Sequence, residues 1–71
     1  MRLPALTSIE VIRIVERAGF RFMRSRGSHR IFVHGARLIV IPFHRGDLKP
    51  GTLRAIIKAS GLSPDAFLAL R

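Results

Sequence analysis

Residues 20–41 read FRFMRSRGSHRIFVHGARLIVI, and this stretch decides the fold. Three runs rich in Phe, Val and Ile, from Phe20 to Arg26, His29 to His34 and Arg37 to Ile41, are separated by Gly27-Ser28 and Gly35-Ala36. Short β-prone runs joined by two residues that include glycine are hairpin signals. The stretch therefore predicts a three-stranded antiparallel meander. Pro42 ends the third run by removing a ladder donor, and His44 to Asp47 is a polar loop.

Working outward, Thr7 with Glu10 three residues later forms a capping-box signature. Ile9, Val11, Ile12, Ile14, Val15 and Ala18 follow at helical spacing, and Gly19 supplies the stop. On the other side a second helix begins near Pro50 and ends at Gly61. Its Leu53, Ile56 and Ile57, with Leu48 ahead of them, make a buried stripe, while Lys49, Arg54 and Lys58 face water. Ser63-Pro64-Asp65 caps a last short helix carrying Phe67, Leu68 and Leu70. The fold class is α+β: one domain over residues 1–71, of α-β-β-β-α order, with helices on one face of the sheet and a short C-terminal helix. The opposite face is left free for a basic ligand-binding surface.

Seventy-one residues with no cysteine cannot use disulfides or thiolate-bound zinc to supplement a modest core. The absence of cysteine suits a cytoplasmic protein. Near the N-terminus Pro4, Thr7 and Ser8 interrupt any signal-peptide core, and the longest apolar run, Leu38 to Phe43, is too short to span a bilayer. The formal net charge is +9, and eleven of the thirteen cations are arginine. Between Arg17 and Gly46 there is no acidic residue, yet Arg17, Arg21, Arg24, Arg26, Arg30, Arg37 and Arg45 fall there. A guanidinium grips phosphate through two parallel hydrogen bonds, so a nucleic acid is the expected partner.

Four carboxylates, Glu10, Glu16, Asp47 and Asp65, offer no pair suited to acid/base catalysis. His29, His34 and His44 lack the spacing of a metal site, so no metal is expected. No glycine-rich phosphate loop or small-molecule cofactor motif is present. Ser28 and His29 are adjacent, and on an extended strand neighbours point to opposite faces, which argues against a serine nucleophile. What remains is a histidine in an arginine field. RNA makes such a site sufficient, because its 2′-hydroxyl is an internal nucleophile that needs only a base and charge stabilisation. By spacing alone, His29 also reads as an ordinary strand-end histidine. Parity leaves its face open: Ile31 and Val33 share it, and Phe32 lies opposite.

Gly27-Ser28-His29-Arg30-Ile31-Phe32, then Ile41-Pro42-Phe43-His44, then Leu48 and the run from Gly51-Thr52-Leu53-Arg54 to Lys58 together resemble the signature of HicA toxins. The resemblance extends over most of the chain and includes the first helix ending in Gly19-Phe20. It implies a fold like a double-stranded-RNA-binding domain, cleavage of messenger RNA, and neutralisation by a HicB antitoxin, with His29 catalytic. Gly27 and Ser28 then present the histidine, His44 fixes the strand end, and His34 is a surface residue. The expected RNA contacts are Arg21, Arg24, Arg26, Ser28, Arg30, Arg37, His44 and Arg45. With neither Tyr nor Trp, base stacking rests on Phe, more often a core residue, and little sequence preference is expected. The competing reading is a non-catalytic RNA-binding module, whose histidine contacts a 2′-hydroxyl and leaves the RNA intact. A basic domain with an exposed sheet face also suits an acidic antitoxin, which is compatible with either.

Overall fold

A computed structural model describes residues 2–71. The elements are α1 (Ser8–Arg17), β1 (Arg21–Arg26), β2 (His29–His34), β3 (Arg37–Pro42), α2 (Pro50–Ser60) and α3 (Pro64–Ala69). This is the expected α+β order.

Helix α1 starts on the reciprocal capping box: the Glu10 N–H donates to Thr7 Oγ1 at 3.2 Å, and the Thr7 N–H donates to Glu10 Oε1 at 3.0 Å. Val11, Ile14 and Val15 are buried, whereas Ile9 is 52% exposed. The apolar count at the helix start overstates the stripe, because Ile9 sits two residues before Val11, about 200° around the axis. At the other end Gly19 adopts φ +100° and the Phe20 N–H returns to the Val15 carbonyl at 2.9 Å. Phe20 is thereby buried as a core anchor ahead of β1 rather than as its first residue.

The sheet order is β1-β2-β3, antiparallel throughout. Gly27 and Gly35 both have φ +58°, while no other residue type among those described has positive φ, so each hairpin has the first-position glycine that a II′ turn requires. Phe32 pairs with Ile39 and Arg30 with Ile41, and this parity faces the helices. Phe32, Ile39 and Ile41 are each at most 2% exposed, against α1 and α2. Strand β3 runs one residue further than expected, through Pro42. The Phe43 N–H donates to the Ser28 carbonyl at 2.7 Å, so Ser28–Phe43 is a hydrogen-bonded pair and His29–Pro42 is not. The proline nitrogen therefore points outward at the sheet edge, where it breaks no ladder bond.

Helix α2 ends in Gly61 with φ +77°, and Ser63 caps α3 by accepting the Ala66 N–H at 3.1 Å. Phe67 on α3 is fully buried and closes the helical side. Ser8, 1% exposed, donates from Oγ to the Pro42 carbonyl at 2.6 Å and accepts the His44 N–H at 3.3 Å. The start of α1 thus holds the segment leaving β3. Among the described residues no helix is long and apolar enough to cross a membrane.

The capping box carries two predictions. Thr7→Ala should lower the unfolding free energy by about 1 kcal/mol in urea titrations, since it leaves an N-terminal amide uncapped. The Thr7 N–H, then the Thr7 hydroxyl and Arg71, hold the Glu10 carboxyl below its ordinary 4.5. A carboxyl lowered on folding stabilises the protein above that ordinary value and loses the contribution as pH falls through its folded value. The stability advantage of wild type over Glu10→Gln should therefore shrink as urea midpoints are measured below pH 4.5.

Candidate nucleic-acid interface

Because Phe32, Ile39 and Ile41 face the helices, the alternate residues of β2 and β3 face away from them. His29, Ile31 and Val33 on β2 pair with Pro42, Val40 and Leu38 on β3, and all share that open face. His29 is exposed and occupies the first position of β2, directly after the Gly27-Ser28 turn. The turn lets the chain reverse within two residues, so Arg26 lies directly across from His29.

Strand β1 adds a feature that simple alternation misses. Phe22 pairs with Phe32, but the next pair is Arg24 with Ile31, so one extra residue, Met23, is inserted as a β-bulge. In unbroken alternation Arg21 and Arg24 lie on opposite faces. The bulge instead places Arg21, Arg24 and Arg26 together on the open face with His29. Phe22 remains on the helix side, with its ring 5.7 Å from that of Phe32, edge to face. The signal in the sequence is the consecutive apolar pair Phe22-Met23, which breaks a period of two.

The expected contact residues separate into three groups. Arg26 lies across from His29 and Arg24 across from Ile31, and Arg21 shares their face at the far end of β1, opposite Val33. At the same sheet end as His29, Ser28 uses its carbonyl to accept the Phe43 amide. Arg30 faces the helix side and stacks its guanidinium 4.1 Å from the Phe43 ring centroid. His44 and Arg45 are exposed in the following loop, and His44 Nδ1 lies 2.8 Å from the Arg45 carbonyl. Arg37 stands apart from all of these. It lies on the helix side at the opposite end of the sheet, where Nη1 donates to the Ala59 carbonyl at 3.4 Å and the guanidinium lies over Gly61. His34, also at that end, is exposed and packs on Gly19, with its ring 5.4 Å from that of Phe20.

No acidic residue occurs in the three strands. Among the described residues the one ion pair joins Arg71 and Glu10 at 3.7 Å, so Arg21, Arg24 and Arg26 on β1 keep their hydrogen-bonding capacity for a ligand. No three His, Asp or Glu side chains among the described residues converge on one point. Beyond Pro42, His29 borders an open groove of about 520 Å³ between the edge of β3 and α2, lined also by Val40, Thr52 and Ala55. In the sequence Gly51-Thr52 stands out only within the Gly-Thr-Leu-Arg motif. The small residues Gly51, Ala55 and Ala59, one helical turn apart, were the available sign that α2 leaves space there.

No curated protein matches the chain. A family model described as HicA toxin of bacterial toxin-antitoxin matches residues 9–62, a span that takes in most of α1, the whole sheet and all of α2. This chain belongs to the HicA toxin family, and is the toxin member of a bacterial toxin-antitoxin pairing.

Proposed function

We propose that this toxin is a metal-independent endoribonuclease of messenger RNA in which His29 activates the ribose 2′-hydroxyl, and that a HicB-type antitoxin inhibits it. The observation that carries the reading is an exposed imidazole between Arg26 and the β3 edge, on a sheet face that no helix covers and no carboxylate shares.

In this mechanism an imidazole nitrogen of His29 accepts the proton of the 2′-hydroxyl, and the oxygen attacks the adjacent phosphorus. The bond from phosphorus to the 5′-oxygen breaks, and that oxygen takes up a proton returned from the imidazolium directly or through water. The products are a 2′,3′-cyclic phosphate and a 5′-hydroxyl end. Arg24 and Arg26 offset the charge that builds on the phosphate oxygens, and no step requires a metal. DNA lacks the attacking oxygen and is not a substrate. Arg21 extends the phosphate-binding face along β1, while Ser28, Arg30, His44 and Arg45 serve the strand as it leaves the sheet end. An antitoxin that presents carboxylates to this face competes with RNA for the same arginines. A cytoplasmic location is consistent with that substrate.

His29→Ala should reduce cleavage of RNA by about 100-fold or more while leaving the circular dichroism spectrum and melting temperature unchanged. A single 2′-deoxy substitution at the cleaved nucleotide should block wild type at that site. Equal cleavage by wild type and His29→Ala would overturn the mechanism, and RNA that is bound but left intact by wild type would favour the non-catalytic module. Arg24→Gln and Arg26→Gln should each lower RNA affinity and reduce the slope of log K against log salt by roughly 0.7, as expected for one lost phosphate contact on a single strand.

A further inference from the structure

We infer that the groove along the outer edge of β3 is a nucleoside subsite, which holds the ribose and base on the 5′ side of the phosphodiester bond that His29 opens. The inference rests on the ribonuclease reading above and assigns that site its substrate-positioning residues.

The groove has the size of a small-ligand site, about 520 Å³, and His29 forms one wall of it. Of its nine lining residues only His29 and Thr52 carry polar side chains; Val40, Pro42 and Ala55 make much of the rest. An apolar trough with a few placed polar groups suits a flat, largely apolar ring whose hydrogen-bonding edges need partners. Two kinds of partner are present. The Thr52 hydroxyl has no hydrogen-bond partner among the described residues. In addition, Ser28–Phe43 is a hydrogen-bonded pair, so by alternation Arg30–Ile41 and Phe32–Ile39 are too, and the N–H and C=O of Val40 point away from β2. That outward direction is the groove, and Val40 is one of its walls.

Position supplies the second argument. Arg26, His29 and Pro42 lie side by side on three adjacent strands, and Gly51-Thr52 of α2 follows beyond Pro42. With strands about 4.8 Å apart, Arg26 and the groove stand roughly 10 Å from one another with the imidazole between them. A nucleotide seated in the groove directs its 2′-hydroxyl at His29 and its 3′-phosphate at Arg26. The charge pattern fits this polarity: arginines lie on the β1 side, and the groove side is apolar. A nucleoside is the uncharged part of the polymer and belongs on the apolar side.

The test uses a short 2′-fluoro RNA oligomer, which keeps the RNA shape but lacks the attacking hydroxyl, titrated into the wild-type protein with methyl NMR as the readout. The expected result is ring-current shifts of the Val40 and Ala55 methyls. Ala55→Leu, which fills the groove from an exposed helix position, should weaken oligomer binding at least 10-fold and lower kcat/KM for RNA accordingly. Ala66→Leu at an exposed position on α3 should change neither. Unmoved Val40 and Ala55 methyls under saturating oligomer would overturn the subsite even if wild type cuts RNA. So would an Ala55→Leu protein that binds and cuts as wild type does. Groove-dependent binding by a wild type that leaves unmodified RNA uncut would instead remove the ribonuclease reading and support the groove as a nucleotide site.

Discussion

Burial on one side of the sheet is the constraint from which the rest of this structure follows. Phe32, Ile39 and Ile41 must leave water, and the residues able to cover them are the apolar stripes of α1 and α2. Burying each such side chain contributes about 1.5–3 kcal/mol, a large share of what a domain of this size can gain. Once that face is committed, the pleat sends every alternate residue to the other side. His29 and the β1 arginines are there because their neighbours are in the core. The open face is not bare: Ile31 lies on it but is only 7% exposed, while Leu38 and Val40 remain about half exposed.

The same constraint distributes charge. A cation on the helix side has to find a role within the fold. Arg30 stacks on Phe43, and Arg37 caps the carbonyl end of α2 near Ala59 and Gly61. On the open face there is no such duty, and Arg21, Arg24 and Arg26 have no acidic neighbour in the sheet. Repulsion among them is tolerable because they stand at the edge strand, in contact with water. A bound polyanion would relieve it.

Precision at the sheet end comes from small parts. The Gly27 turn places Arg26 opposite His29, the Phe43–Ser28 hydrogen bond continues the ladder past the proline, and buried Ser8 ties the outgoing chain to α1. Each part is local, but their convergence leaves the imidazole on a stiff strand terminus with a groove on one side and guanidinium groups on the other. A solvent-exposed side chain gains its orientation there from backbone hydrogen bonds rather than from burial.

Local chemistry suffices for much of this. The capping residues Thr7 and Glu10, the glycines at 19, 27, 35 and 61, and the alternating β-prone runs specify where each element starts and stops, because those preferences act within a few residues. The Gly-Ser-His turn that contains His29 and the later Pro-x-His and Gly-Thr-Leu-Arg segments also disclose the family. Which face His29 occupies is open in the sequence, since Ile31 and Phe32 are both apolar and adjacent. Only packing chose Phe32 for the helices. The bulge at Met23 likewise depends on pairing with β2, and the separation of Arg37 from the other arginines depends on where α2 ends. The groove exists only when α2 lies beside β3. These are relations between segments distant in the chain, and their energies arise from surfaces that do not exist until the elements meet.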